Sequence, residues 1–330
     1  MDSRRMIAVI VLVPVLVALA LWAFAWPAAR TAPRDLPLGV AGPPAAVAQV
    51  EQRLDQREGA FEIHRYADED AARGAVEDRT VYGAVIAGER GPKLLTASAA
   101  GPAVDQLLRQ AVTGQASTGA GTPVQVVDVV PAPETDPRGA AFGASVLPLA
   151  LAGIATGAVA TLLGLRGARA VAALVGAAAL TGLVAAAIAH SWLGVVTGEW
   201  WAVAGVFGLS TLAVGAGIAG LGALLGRAGL GLGGAVMMLL GNPFSGASSA
   251  PEMLPQPAGA IGQWLPPGAG ASLLRSVSFF DGAAAAGPAL TLTWWAVLGL
   301  GAVLLGGALR QRTQGDSTVP DRAPAPATAA

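Results

Sequence analysis

The feature that most constrains the fold is a set of six apolar stretches that contain no charged side chain. They cover residues 6–26, 142–165, 170–189, 200–226, 228–244 and 289–309. A helix needs about 20 apolar residues to cross the hydrocarbon core of a bilayer, which is roughly 30 Å thick. The fifth stretch is the shortest, and it ends at Asn242 and Pro243. The pattern predicts an α-helical polytopic membrane protein with six spans.

The charged residues are divided unevenly between two parts of the chain. Residues 27–140 hold 26 of the 41 charged side chains, whereas residues 141–309 hold seven. Few charges are what a lipid-embedded region requires, because an ionised side chain is costly inside a bilayer. The distribution therefore indicates a water-exposed domain, residues 27–140, inserted between a first span, residues 1–26, and a five-span membrane domain, residues 141–312.

The arginines predict the orientation, because short cytoplasmic loops retain Arg and Lys. Seven arginines flank the apolar stretches and fall on one side of the membrane if six spans alternate: Arg4, Arg5, Arg166, Arg169, Arg227, Arg310 and Arg312. We therefore expect a multi-pass protein of the cytoplasmic membrane with both termini in the cytoplasm. Residues 27–140, 190–199 and 243–288 would then lie outside the cell.

The first 26 residues have a second interpretation, as a cleaved signal peptide. Arg4 and Arg5 begin the segment, and Ala23-Phe24-Ala25 resembles a cleavage site. The apolar run of about 20 residues is longer than the 7–15 residues of a signal core. The sequence therefore favours an uncleaved first span.

Residues 27–140 alternate strand and helix patterns, which predicts an inserted extracytoplasmic α/β domain. The predicted strands are residues 36–41, 61–66, 81–87, 93–98 and 124–130. Three helices are predicted between them: residues 47–54, residues 68–79 with Asp68 as the cap, and residues 102–114. Residues 131–138 are expected to form a linker rich in proline, and residues 313–330 are expected to form a disordered cytoplasmic tail.

Several kinds of chemistry lack the residues that they need. The chain has no Cys, and its two histidines, His64 and His190, lie in different regions, so neither thiol chemistry nor a metal centre is expected. A phosphate-binding loop needs a Lys directly after a Gly, whereas Lys93 follows a proline. Two G-x-G-x-x-G matches, at Gly215 and Gly229, follow no predicted strand and favour close helix packing. We expect no enzyme activity, no cofactor and no nucleic-acid partner.

Residues 243–288 are the most informative part of the membrane half. They are too rich in Pro and Gly to span and too apolar for an ordinary loop, which fits a re-entrant or interfacial element. A plain structured outer loop is the alternative. A possible outer gate or transport path comprises Pro243, Glu252, Trp264, Pro266, Pro267, Arg275 and Asp281. Arg275 is expected near the interface, hydrated or paired with Asp281, and Ser272 is expected to cap a short helix that runs to Phe280.

Short motifs along the chain carry a family resemblance. Outside the membrane they are Val81-Tyr82-Gly83-Ala84-Val85, Leu95-Thr96-Ala97-Ser98-Ala99-Ala100 and Val127-Asp128-Val129-Val130-Pro131. In the membrane half they are Gly241-Asn242-Pro243-Phe244-Ser245-Gly246, Pro251-Glu252-Met253-Leu254-Pro255, Trp264-Leu265-Pro266-Pro267-Gly268 and Leu274-Arg275-Ser276-Val277. In this order they resemble the permeases of type-2 ABC transporters, in the subgroup with a large exported domain that is related to YhgE/Pip phage-infection proteins.

The resemblance implies a function together with its partners. It implies six spans per subunit, a pathway formed by a homodimer or a heterodimer with a second permease, an outer hairpin between spans five and six, and a separate ATPase. The family couples to its ATPase through an inner segment between spans two and three, which here is only about residues 166–169. The expected function is the permease subunit of an exporter that moves an apolar or amphipathic molecule out of the cell. The alternative, favoured by the short inner loops, is a non-transporting membrane-anchored interaction protein that acts through its extracytoplasmic domain. Membrane lipids are expected partners in either case.

The arginine distribution makes a topological prediction. Protease added to intact spheroplasts should cleave within residues 27–140 and should leave an epitope fused after residue 330 intact, because the arginines hold both termini inside. Immunoblots against an epitope in the exported domain and against the terminal epitope measure the two outcomes. Loss of the terminal epitope from sealed spheroplasts would mean an odd number of spans or a removed signal peptide.

Overall fold

The structure, a computed structural model, describes residues 2–88, 91–116 and 124–316. It is mostly helical, and five helices are long and apolar enough to cross a membrane: Ile10–Ala29, Ala140–Leu162, Gly167–Trp192, Trp200–Leu225 and Ala286–Leu309. Their length and composition support a membrane-embedded protein. They coincide with five of the six predicted spans.

The helices are numbered along the chain. They are α1 (Asp2–Ala29), α2 (Pro44–Asp55), α3 (Glu69–Glu77), α4 (Pro102–Ala116), α5 (Ala140–Leu162), α6 (Gly167–Ala186), α7 (Trp200–Leu225), α8 (Arg227–Ala235), α9 (Ala258–Trp264), α10 (Pro266–Phe279) and α11 (Ala286–Asp316). Helices α6 and α8 continue as π-helix over Ala187–Trp192 and Val236–Gly241, and a 3₁₀ turn covers Pro251–Met253. Because α11 runs to Asp316, residues 313–316 of the predicted tail are helical, and the rest of that tail lies outside the described residues.

The predicted fifth span is shorter than a full span. Helix α8 has nine residues and its π-helical extension has six, which together fall below the roughly 20 residues that a crossing requires. Gly226, at a φ of 65°, turns the chain sharply after α7. At Gly229 a Cβ atom would lie 2.0 Å from the carbonyl oxygen of Leu221, so α8 folds directly back onto α7. Among the described residues, five helices of spanning length and this shorter one stand where six full spans were predicted.

Helix α7 lies at the centre of the bundle, and 72% of its most apolar stretch is buried. A Cβ atom on Gly157 of α5 would lie 2.4 Å from the carbonyl oxygen of Gly215, and one on Gly182 of α6 would lie 2.4 Å from that of Ala204. On another side, Gly220 approaches the backbone of α11. The glycines therefore let neighbouring backbones touch, which confirms helix packing for the G-x-G-x-x-G match at Gly215. In the match at Gly229, a Cβ atom on Gly231 or Gly234 would have no neighbour within 4 Å.

The small domain is a five-stranded mixed sheet with helices on both faces. Its strands are β1 (Leu36–Ala41), β2 (Phe61–Tyr66), β3 (Gly83–Gly88), β4 (Gly91–Thr96) and β5 (Gln125–Asp128), in the order β2-β1-β3-β4-β5. Only β3 and β4 pair antiparallel. Helices α2 and α4 cover one face of the sheet and α3 covers the other. The side chain of Asp68 accepts a hydrogen bond from the Ala71 amide, which confirms the predicted cap of α3.

Residues 243–288, the outer segment, pack between the bundle and the small domain. Ala269, Leu273 and Leu274 of α10 join the core formed by α5, α7 and α11. On the other side, Ala250 and Met253 join the core beneath α2 and α4, and Phe280 joins the core beneath α3. The outer segment therefore contributes to three hydrophobic cores, one in the bundle and two in the small domain, and is not a solvated loop.

The predicted role of Ser272 as a helix cap is wrong. Helix α10 begins at Pro266, because Pro266 and Pro267 fit the first turn of a helix, where no amide donor is needed. Ser272 lies inside the helix, and its hydroxyl donates a hydrogen bond of 2.6 Å to Oε1 of Gln263 in α9.

The glycine contacts of α7 predict a difference between two substitutions. Gly157→Ala should lower the free energy of unfolding by about 1–3 kcal/mol, because the methyl group would collide with backbone atoms. Gly176→Ala, at a helix position with no atom within 4 Å of the new methyl group, should be neutral or stabilising by up to about 1 kcal/mol. Thermal unfolding of both variants in detergent measures the difference, and equal melting temperatures would contradict the packing.

Candidate functional site

The end of α3 places an arginine at the junction between the small domain and the outer segment. The Thr80 amide donates to the Ala75 carbonyl and the Arg79 amide donates to the Val76 carbonyl, which together form a Schellman motif. The left-handed position of this motif usually holds glycine, but here Arg79 occupies it with a φ of 57°. This uncommon backbone conformation for arginine directs its side chain out of the domain.

Arg79 binds α10 through its guanidinium group. Nη1 donates to the carbonyl oxygen of Ser272 at 3.1 Å and to the hydroxyl of Ser276. The guanidinium carbon also lies 5.3 Å from the centre of the Phe280 ring, within the range of a cation–π contact. Burial lowers the pKa of Arg79, while Tyr82 and Glu252 act in the opposite direction. The small domain and the outer segment therefore meet through a partly desolvated cation.

Tyr82 and Glu252 form a second link across the same junction. The Tyr82 hydroxyl donates a hydrogen bond of 2.8 Å to Oε2 of Glu252. Burial, and then the neighbouring Glu252 carboxylate, raise the pKa of Tyr82, so the phenol stays protonated. The backbone amide of Arg34 donates to the Glu252 carbonyl at 2.9 Å, and the Ala32 amide donates to the Met253 carbonyl at 3.0 Å. These bonds fix the 3₁₀ turn against the small domain.

Arg275 is buried within the outer segment, which corrects the prediction of a hydrated side chain. Only 3% of the residue is exposed. Its Nη2 donates to the Ala247 carbonyl at 2.9 Å, and its guanidinium carbon lies 4.8 Å from the centre of the Phe142 ring. Burial, and then the charge of Arg79, lower the pKa of Arg275 to about 10, so the group is still charged at neutral pH. The predicted partner, Asp281, is exposed, and no ion pair joins the two among the described residues.

A cavity of about 700 Å³ lies where the small domain, the outer segment and α11 meet. Its polar wall comes from the small domain and the outer segment and includes Arg79, Thr80, Tyr82, Glu252, Gln263 and Ser272. Its apolar wall comes mainly from α11 and the end of α9 and includes Trp264, Pro288, Leu290, Trp294 and Trp295. The volume is that of a small-molecule site, and the two walls differ strongly in polarity.

The cavity gathers only some of the residues that the sequence singled out. Glu252 and Trp264 line it. Pro266 and Pro267 are buried at the start of α10 and do not line it, and Pro243 is half-buried after the π-helical turn. The predicted gate residues therefore do not form one surface.

Sequence reasoning missed Arg79, Tyr82 and the cavity face of α11. For Arg79 one signal was present, because the end of α3 lacks the glycine that usually closes a helix. For Tyr82 and the α11 face no local signal existed. Their partners lie 170 or more residues away along the chain, or face them only in the folded molecule.

The other polar residues considered from the sequence have local partners. Glu199 accepts hydrogen bonds from the amides of Trp201 and Ala202 and so caps α7. His190 lies 3.1 Å, through Nε2, from the carbonyl oxygen of Gly198. Within the described ranges, no group of three or more His, Asp or Glu side chains is arranged to hold a metal ion.

Comparison with known proteins gives no relative for this chain. No protein-family description, curated protein or solved structure matches it. The resemblance to exporter permeases therefore stays a prediction from its motifs.

The link between Tyr82 and Glu252 predicts an effect on stability. Tyr82→Phe should lower the free energy of unfolding by about 1–3 kcal/mol, because the half-buried carboxylate loses a donor. Tyr66→Phe is the matched control, since the Tyr66 hydroxyl has no hydrogen-bond partner in the described part of the chain. Thermal unfolding followed by circular dichroism compares the two, and equal effects would show that the bond contributes nothing.

Proposed function

We propose that this protein is the permease subunit of an exporter that moves an apolar or amphipathic molecule across the cytoplasmic membrane. The observation that supports this proposal is the cavity of about 700 Å³ beside α11. It lies next to helices of spanning length, and it combines a polar wall with an apolar wall. Such a cavity suits a cargo that leaves the bilayer at the outer surface, which is the side that the arginine distribution assigns to the small domain.

The outer segment suits the role of an exit structure. Non-helical backbone is tolerated at membrane depth only where protein or a wet cavity satisfies its polar groups. In the outer segment, Arg275 binds the Ala247 carbonyl and Gln263 binds the Ser245 carbonyl. These contacts support a re-entrant element between the short helix α8 and α11, in keeping with the exporter resemblance.

The power for export would come from a separate ATPase, because the sequence lacks a phosphate-binding loop. The inner ends of the helices enclose a second cavity of about 240 Å³, lined by residues that include Arg166 and Arg227. In the proposed orientation this cavity faces the cytoplasm. It is the surface that we assign to the ATPase, in place of the longer inner segment of the exporter family.

A second candidate function is a membrane-anchored interaction protein that does not transport. The connection between α5 and α6 favours it, since only four residues, 163–166, separate the two helices. A connection of this length offers only a small surface for a partner ATPase to bind. The neighbouring reading frames discriminate between the functions, because an adjacent gene for an ATPase with a Walker motif favours export.

Labelling of single cysteines provides the direct test, because the natural chain has no Cys. Thr291→Cys places a thiol in the cavity wall, and Glu58→Cys places one on an exposed surface of the small domain away from it. A membrane-impermeant maleimide added outside should label both. Addition of the ATPase with ATP should change the rate at Thr291→Cys severalfold and leave the rate at Glu58→Cys unchanged, since only the cavity takes part in transport.

The two functions give different results in this experiment. Rates at position 291 that do not respond to any ATPase encoded beside the gene would overturn the exporter proposal and favour the interaction protein. Absence of external labelling at position 58 would overturn the assigned orientation.

A further inference from the structure

The cavity beside α11 has the chemistry of a site for a negatively charged amphipath. We propose that it binds the head group of an anionic lipid from the outer leaflet, with Arg79 as the contact to the phosphate. This inference names the cargo class for the proposed function, and the binding itself does not depend on transport. The argument rests on the shape of the cavity, on its charge and on the surface that continues from it.

The charge at the junction favours an anion. Among the described residues, Arg79 and Glu252 are the only charged side chains that line the cavity, and the buried Arg275 lies near both. Two positive groups and one negative group leave a net charge of +1. The carboxylate is already engaged by the Tyr82 hydroxyl. Among the described residues, no carboxylate lies within ion-pair distance of Arg79.

The guanidinium group of Arg79 has N–H donors that are not used in the contacts to α10. A guanidinium group has five N–H donors, and both bonds from Arg79 to α10 come from Nη1. Nε and Nη2 have no acceptor among the described residues. Arginine pairs readily with phosphate oxygens because its donors form a planar fork. The Schellman motif holds Arg79 at the cavity wall even though glycine would suit that backbone better.

The apolar wall continues onto a surface that suits an acyl chain. Leu290 and Trp294 line the cavity, are 61% and 62% exposed, and lie one turn apart on α11. Val297 and Leu298 extend the same exposed apolar surface toward the middle of the span. Trp264, also exposed, stands at the rim, where tryptophan commonly marks the membrane–water interface. If the lipid head group binds at Arg79, its acyl chains can therefore lie against the exposed apolar surface of α11.

Native mass spectrometry of the purified full-length protein in detergent tests the proposal. The probes are phosphatidylglycerol and phosphatidylcholine with identical palmitoyl and oleoyl chains. The unaltered protein should bind phosphatidylglycerol about fivefold more tightly than phosphatidylcholine, or tighter still. Arg79→Gln should weaken phosphatidylglycerol binding roughly tenfold or more, as expected for loss of charged hydrogen bonds. Arg57→Gln, which removes an exposed arginine away from the cavity, should leave the affinity unchanged.

A second substitution keeps the test decisive if Arg79→Gln fails to fold. Glu252→Gln keeps an acceptor for Tyr82 but removes the negative charge, so it should strengthen phosphatidylglycerol binding severalfold. Equal binding of the two lipids, tighter binding of phosphatidylcholine, or weaker phosphatidylglycerol binding by Glu252→Gln would overturn the proposal. Lipid binding that needs Arg79, without any response to an ATPase, would support this site and refute export.

Discussion

The structure depends on one constraint, which is that the buried and broken backbone of the outer segment must find hydrogen-bond partners within the protein. The partners come from three directions. The small domain supplies the amides of Ala32 and Arg34 and the guanidinium of Arg79. The loop before α7 supplies the hydroxyl of Thr197, which donates to the Ser278 carbonyl, and the outer segment itself supplies Arg275. The small domain is therefore packed as one unit with the outer segment and is not a separate module tethered to it.

This constraint also explains why the junction contains buried charge. Removing a guanidinium group from water is costly, and the cost is offset only where the group makes several hydrogen bonds or contacts an aromatic ring. Arg275 has a carbonyl acceptor and the Phe142 ring, and Arg79 has two acceptors and the Phe280 ring. A leucine at either position would avoid the desolvation cost but would leave backbone carbonyls without donors. The arginines are the residues that reach those carbonyls from a distance.

The sequence predicted those features that depend on neighbouring residues, and it missed those that depend on contacts between distant parts of the chain. Strands β1 and β2 have the predicted bounds, because period-two alternation and flanking turn residues act within a few positions. The end of α3 at Glu77 and the short α8 were missed, because a helix end closed by Arg79 and a fold back onto α7 depend on distant partners. The site shows the same division. Glu252 and Trp264 stand in a segment of unusual composition, whereas Arg79 and Tyr82 are ordinary surface residues until the outer segment covers them.

The hydrogen bonds between the small domain and the outer segment determine which wall of the cavity can move. Arg34, Arg79 and Tyr82 each donate a hydrogen bond to the outer segment. The bonds of Arg79 and Tyr82 involve a charged group, and such a bond contributes about 1.5–3 kcal/mol. The linker is held as well, since the Thr135 hydroxyl donates to the Gly194 carbonyl and the Asp136 carboxylate accepts from the Phe142 amide. Rotation of the small domain away from the outer segment would break the bonds of Arg34, Arg79 and Tyr82 together. The wall with the fewest such bonds is the apolar one, where the Trp264 side chain is 76% exposed. Access to the cavity is therefore easiest to alter from the side of α11, with the polar wall remaining fixed.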